Sequence, residues 1–329
     1  MKILLTTTSF QDTPGAHHDM LAQTGWEIIK ARGPLNEADT LALVGDIDGY
    51  ICGDDAITRK VLEKARPKLK VLSKYGIGVD KIDVKSATEL GIPVLFTPGV
   101  NHTTVAEHNF LLLLALEKNF LFHTDSTRSG NVKTNWQRKT GHELLEKTIG
   151  IIGMGRIGRE VAIRARAFGM NVVGFDLHWD EKFAAQYGLQ RANTLDDLYK
   201  VSDYVSLHTN LTPETKDMIS AKSFPKMKKG VLILNCARGE IVNTNDMVAA
   251  LKSGQVGGYG TDVLDQEPPP ADHPLLKLPN VVCTPHVASR TYESVVRQAT
   301  TSVKNLLLAM NGEKPIAQVN PEVPVKKVT

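Results

Sequence analysis

At 329 residues the chain is longer than the ~250–300 residues at which a single hydrophobic core stops growing, so two domains are expected. Hydrophobic residues at 42% and charged residues at 23% describe an ordinary globular protein, and a net charge of +3 argues against a nucleic-acid or membrane-surface partner. The three cysteines, Cys52, Cys236 and Cys283, are odd in number and far apart with no CxxC pair, which argues against a disulfide frame or zinc site and for a reducing, cytoplasmic compartment.

Short apolar strands alternate with helical stretches almost from end to end. The opening MKILLTTTSF has only a brief apolar run, so no signal peptide is expected, and the longest apolar segment, FLLLLAL at 110–116, is too short to span a membrane. A first series of strands is expected at 2–7, 26–30, 49–53, 70–74 and 93–98. The segment TPGVNHTTVAEH (97–108) breaks that series with Pro98 and Gly99, then starts a long apolar helix with threonines available as caps. That helix, TVAEHNFLLLLALEKNFLF from about 104, is too hydrophobic to leave one face in water. It either packs inside its own domain or joins two copies of the chain.

A second series of strands is expected at 148–153, 171–176, 203–208, 231–235, 257–263 and 280–285. Between them lie helical patterns such as EVAIRARAFG and NDMVAALKSG, the latter closed by Gly254. Strands alternating with helices of this length form βαβ units and parallel sheets, hence two α/β domains. One more amphipathic helix, roughly 290–311, follows His286 with no partner of its own. Its return to the first series would make the first domain discontinuous, 1–99 plus 287–329, with a second domain, 100–286, inserted. No internal repeat or low-complexity tract interrupts this plan.

The segment TIGIIGMGRIGREVAIRARAFGMNVVGFD carries Gly153, Gly155 and Gly158 as G-x-G-x-x-G, directly after a strand and opening a helix. The first glycine makes the tight turn, the second lets backbone approach a pyrophosphate, and the third lets helix and strand pack closely. Asp176 ends the next strand, 23 residues beyond Gly153, where its carboxylate can accept from a ribose diol and would repel a 2′-phosphate. NAD is therefore expected in preference to NADP. The bland alternative, a glycine-rich turn with a surface aspartate, does not account for the complete strand–turn–helix–strand–Asp order.

Three further segments end strands with reactive side chains. LILNCARGEIVN (232–243) places Arg238 after a buried-looking strand, followed by a glycine. DVLDQEPPPADHPL (262–275) places Glu267 in a loop stiffened by Pro268, Pro269 and Pro270, and VVCTPHVASRT (281–291) places His286 beyond another strand. Open α/β sheets bind ligands outside the carboxyl ends of their strands, where all three would sit. Arg238 is expected to hold a substrate carboxylate and polarise the C2 oxygen. His286 would take or return the hydroxyl proton, and Glu267 would orient the imidazole and raise its pKa. No metal is needed. Taken singly, each has a plainer reading as surface ion pair, structural histidine or loop acid, and Cys236 and Cys283, flanked by apolar residues, read as packing.

Taken together, YGIGVDKID, GIPVLFTPGVNHTTVAEH, GIIGMGRIG, LTPETKDMIS, LNCARGEIVN, GYGTDVLDQEPP and TPHVAS make the chain resemble the D-isomer-specific 2-hydroxyacid dehydrogenases, closest to the D-3-phosphoglycerate dehydrogenase branch. The resemblance covers almost the whole chain. It implies two doubly wound parallel-sheet domains, a Rossmann nucleotide-binding domain inserted into a discontinuous flavodoxin-like substrate domain, and a homodimer built on the long apolar helix. It implies Arg238, Glu267 and His286 as the catalytic set, and cofactor contacts from Arg156, Ile157, Thr209, the Cys236 and Ala237 backbone, Asp262 and Ser289. It also implies that Lys74, Tyr75, Gly76, Ile77 and Gly78 form the substrate loop, with backbone N–H groups for the carboxylate.

The expected substrate is a small 2-hydroxy or 2-keto acid of the phosphoglycerate/hydroxypyruvate kind. In CGDDAIT (52–58), where the family often has an arginine, this chain has Asp54 and Asp55, which would repel a dianionic phosphate. Glycerate, or another anionic acid such as sulfolactate, then competes with phosphoglycerate. A regulatory C-terminal domain of the longer phosphoglycerate dehydrogenases, and control by serine through it, is not expected. Two other roles in the superfamily are an NAD-binding dimeric corepressor-type platform and a formate- or phosphite-type oxidant.

Overall fold

A computed structural model describes residues 1–129 and 136–328. The chain divides into two compact units, Met1–Asn101 with Arg290–Thr329, and His102–Ser289. The first unit holds β1 (Lys2–Leu5), β2 (Glu27–Lys30), β3 (Gly49–Cys52), β4 (Val71–Lys74) and β5 (Val94–Leu95). Every pairing is parallel, in the order β2-β1-β3-β4-β5, the flavodoxin-like winding. Strands β3 and β4 are buried along their whole length, as central strands of a parallel sheet covered on both faces must be. One cover is the terminal helix Tyr292–Met310. Its Val295, Ala299, Val303, Leu306 and Ala309 join Ile3, Leu5, Ile51, Val71 and Leu95 in one core. The Ser73 hydroxyl donates to the Ser302 carbonyl at 2.8 Å, and Asn305 Nδ2 to the Phe96 carbonyl at 2.8 Å.

The second unit holds β6 (Thr148–Ile152), β7 (Asn171–Phe175), β8 (Gln190–Arg191), β9 (Tyr204–Leu207), β10 (Val231–Asn235), β11 (Val256–Thr261) and β12 (Val281–Cys283). Their order is β12-β11-β10-β9-β6-β7-β8, again wholly parallel. Strand order reverses between β6 and β9, which is the switch point of a Rossmann-type sheet. Strand β8 is absent from the sequence reading because its two residues are exposed and polar, with no apolar run to betray them. Expected strands were long at their ends. Thr97 leaves the first sheet to bond Gly76, and Pro285 brings no N–H to extend β12.

The long apolar helix, His102–Glu117, packs on β10, β11 and β12. Its partner strand β11 reads VGGYGT, and a Cβ at Gly260 would stand 3.0 Å from Leu112 Cβ. Missing side chains on the strand therefore make room for large ones on the helix. On another side the helix packs against Arg156–Ala167, its Ala106, Phe110 and Leu113 sharing a core with Val161, Ala162 and Ala165.

Candidate active site

The turn after β6 is built by close backbone approach. Gly153 adopts φ +94°, and a Cβ there would lie 2.6 Å from the His208 carbonyl oxygen. A Cβ at Gly158 would meet the Gly153 carbonyl oxygen at 2.0 Å, so only glycine lets the helix Arg156–Ala167 start so close to its strand. Gly155 caps that helix, and a Cβ there would meet nothing within 4 Å. Open space thus faces the amide end of a 12-residue helix, with Arg156 exposed and Ile157 part-buried beside it. Across the turn, Asp176 accepts from the Met154 N–H at 2.6 Å and the His178 N–H at 2.7 Å, one on each carboxylate oxygen. This fixes the carboxylate at the rim and leaves lone pairs on each oxygen for a diol. Thr209 follows β9 and brings its backbone N against Gly153. An open glycine cradle, a helix N-terminus and an anchored acid fit a dinucleotide.

Arg238, Glu267 and His286 follow three adjacent strands, β10, β11 and β12, at one carboxyl edge. Asn235 shapes the first turn: its Oδ1 accepts from the Ala237 N–H at 3.0 Å and its Nδ2 donates to the Arg238 carbonyl at 2.8 Å. Arg238 Nη1 donates to the Ala237 carbonyl at 2.7 Å. Gly239 then lies against the loop that carries Glu267, since a Cβ there would fall 1.9 Å from the Leu264 carbonyl carbon. Glu267 Oε1 accepts from the Leu264 N–H at 2.9 Å, and Oε2 meets His286 Nδ1 at 2.7 Å. With Nδ1 held by the carboxylate, proton exchange falls to Nε2.

His286 has φ +52°, uncommon outside glycine. The buried Asp262 holds it there. The His286 N–H donates to the Asp262 carbonyl at 2.8 Å. Asp262 Oδ1 accepts from the Thr284 hydroxyl at 2.6 Å and the Val287 N–H at 2.9 Å, and Oδ2 from the Ala288 N–H at 2.7 Å. Because the Thr284 hydroxyl donates its proton to Asp262, it accepts from His108 Nε2, 2.8 Å away. Burial lowers the His108 pKa against the pull of Asp262, so this histidine is a neutral donor. The sequence reading gave Asp262 a cofactor contact only; its anchoring of the His286 turn, and the contribution of His108, arise from distant segments meeting. Ser289 follows this anchored turn and ends the second unit.

Burial raises the Cys236 thiol well above its ordinary pKa and the Cys283 thiol to about 11, so both stay protonated and non-nucleophilic near neutrality. In the first unit, Lys74 ends β4, with Tyr75, Gly76, Ile77 and Gly78 following. The Tyr75 ring is part of the core, 6.5 Å from the Phe10 ring, so only its backbone can serve a ligand. Gly76 donates its N–H to Thr97 Oγ1 at 2.9 Å. The Lys74 ammonium is engaged by Asp54 at 2.6 Å. Among the described residues there is no cluster of metal-ligating side chains and no helix long and apolar enough to cross a membrane.

The family model for D-isomer specific 2-hydroxyacid dehydrogenase, NAD binding domain, matches residues 110–288. The D-3-phosphoglycerate dehydrogenase of Methanocaldococcus jannaschii is 37% identical over 332 residues, covering 100% of this chain, which spans 61% of that relative's length. The glyoxylate reductase of Korarchaeum cryptofilum is 39% identical over 300 residues, covering 90% of each chain. Among solved structures, the TT0316 protein from Thermus thermophilus superposes with a TM-score of 0.87 at 38% identity, over 97% of this chain and 100% of that one. By both the matched domain and full-length similarity, the chain belongs to the D-isomer specific 2-hydroxyacid dehydrogenase family.

Proposed function

We propose that this chain is an NAD-dependent oxidoreductase that moves a hydride between nicotinamide and C2 of a small 2-hydroxy or 2-keto acid of the phosphoglycerate/hydroxypyruvate kind. The observation that carries this reading is the Glu267–His286 pair at 2.7 Å on the same sheet edge as the Arg238 turn. NAD, when bound, supplies the hydride acceptor or donor. Gly153, Gly155, Arg156, Ile157 and Gly158 would hold its pyrophosphate, Asp176 its ribose, and Thr209, Cys236, Ala237, Asp262 and Ser289 would line the rest of its path. Arg238 binds the substrate carboxylate and polarises the C2 oxygen through its fork of donors. His286 removes the hydroxyl proton at Nε2 in oxidation and returns it in reduction, while Glu267 balances the imidazolium charge. The 102–289 unit would act as the NAD domain and the other as the substrate domain, with Lys74, Tyr75, Gly76, Ile77 and Gly78 as its substrate-binding loop.

Relatives named for phosphoglycerate and for glyoxylate are similarly close in identity, 37% and 39%, so the substrate's tail has to be read from this chain's own residues. The test of the reaction is NADH oxidation over glyoxylate, hydroxypyruvate, phosphohydroxypyruvate, 2-oxoglutarate and sulfopyruvate, with His286→Ala alongside. Turnover in the variant should fall by roughly 10²-fold or more while NADH affinity stays within about twofold. A variant that keeps the wild-type rate would remove His286 from the mechanism.

A further inference from the structure

Glu267 stands on a run of exposed chain. Residues 265–272 are all exposed, yet the carboxylate meets His286 Nδ1 at 2.7 Å. The Leu264 N–H restrains it from one end of the loop. A second point of restraint is needed, because ordering a free residue costs about 1–2 kcal/mol. His273 supplies it at the other end. This residue is 4% exposed beneath the loop, and its Nε2 donates to Asp265 Oδ1 at 3.0 Å. Its Nδ1 has no hydrogen-bond partner among the described residues, so the ring is held through Nε2. The turn that follows is anchored by Leu275, buried in one core with Ile241, Val242 and Leu264. Asp265 also reaches the segment after Arg238. It accepts from the Thr244 hydroxyl at the start of the helix Thr244–Ser253, and a Cβ on Gly239 would lie 2.3 Å from the Asp265 nitrogen. Burial pushes the Asp265 carboxyl up, but hydrogen bonds from His273 and Thr244 outweigh it and hold its pKa below the ordinary value. An anion therefore ties the two ends of the Glu267 loop together and joins them to the Arg238 segment.

We propose that the Asp265–His273 hydrogen bond is a clasp that closes the Glu267 loop, and that His273 is thereby a positioning residue for proton transfer at His286. It acts through Glu267. With the clasp closed, the carboxylate stays on Nδ1 and favours the charged imidazole. With the clasp open, the loop gains freedom, the contact is made for less of the time, and the ring gives up its proton at lower pH. Other titratable groups packed at this turn face elsewhere. Asp262 accepts from the Thr284 hydroxyl and the Val287 and Ala288 amides, His108 faces Thr284, and the Cys283 thiol stays protonated. Glu267 contacts the ring itself. This inference rests on the proton-transfer role proposed for His286 and adds the device that holds its partner.

The experiment records the pH profile of kcat for hydroxypyruvate reduction by NADH in the wild type, His273→Ala, His273→Gln and Asp265→Ala. An NMR titration of the His286 ring, assigned by its loss in His286→Ala, runs in parallel on the same proteins. Both alanine variants should lose roughly fivefold or more in kcat near neutral pH, with NADH affinity within about twofold of the wild type. The alkaline limb of the profile and the His286 midpoint should both move down by about half a pH unit or more, because reduction needs the charged ring. His273→Gln, which can place an amide N–H where Nε2 stood, should recover most of both. Unmoved midpoints, or a glutamine variant no better than alanine, would overturn the inference. Should His273→Ala fail to fold, Asp265→Ala decides by the same criteria, since that side chain is 40% exposed. If the wild type turns over no 2-keto acid, the activity reading fails, and the His286 titration still decides the clasp.

Discussion

His286 shows how little of a residue's role its type conveys. A histidine after a strand is ordinary; one held at φ +52° with Nδ1 against a carboxylate is placed for proton transfer. Replacing Glu267 by Gln keeps a polar partner but removes the charge that balances a protonated ring. Turnover should fall by about 10- to 100-fold with NADH affinity little changed, and wild-type kcat in a rapid-mixing assay would detach Glu267 from catalysis. Asp176 makes a separate test of the cofactor end. Asp176→Ala should erode the preference for NADH over NADPH, by roughly tenfold in the ratio of kcat/KM, because the repulsion of a 2′-phosphate is lost. An unaltered ratio would leave Asp176 as no more than the anchor of the Met154 and His178 amides.

At the scale of elements, close approach sets the site. Gly239→Ala would force a Cβ to within 1.9 Å of the Leu264 backbone, so the turn bearing Arg238 and the loop bearing Glu267 would have to separate. Stability should drop by about 3 kcal/mol or more, or turnover should be lost at a near-native melting temperature; a variant normal in both would show the contact to be soft. The helix His102–Glu117 also reaches the site, since His108 supports Thr284 and through it Asp262. Its pKa in the folded chain is lowered by burial, so below the unfolded value of about 6.5 the unfolded chain takes up a proton that the folded one resists. Stability from this group is complete above that pH and lost as pH falls through it. Urea melts at neutral and mildly acidic pH should show a smaller acid loss in His108→Asn than in the wild type; equal losses would sink the assignment.

For the whole molecule, the apolar helix had two readings, and packing within its own unit, against β10–β12 and the helix Arg156–Ala167, buries Val105, Ala106, Phe110, Leu112 and Leu113. What remains uncovered is Leu111 at 52% exposed and, on the following helix Phe120–Arg128, Phe120 at 55% and Leu121 at 47%. These residues support the proposed homodimer in place of the whole helix face. Light scattering should give twice the chain mass for the wild type and a monomer for the double substitution Leu111→Glu, Leu121→Glu. A monomeric wild type would rule the homodimer out.

Local chemistry made much of this protein legible without coordinates. Short apolar runs alternating with helical patterns marked eleven strands, and the spacing of Gly153, Gly155, Gly158 and Asp176 carried the nucleotide turn, because a tight turn and its pyrophosphate depend on residues close in the chain. Strand β8 escaped, having only two exposed residues and no pattern. Tertiary structure alone decided that Asp262 anchors the His286 turn, that His108 supports it from a helix far back in the chain, and that Asp54 and Asp55 part company, one holding Lys74 and the other buried. The physical reason is that hydrogen bonds and ion pairs follow distance in space, and the partner of a carboxylate is set by which strands lie side by side.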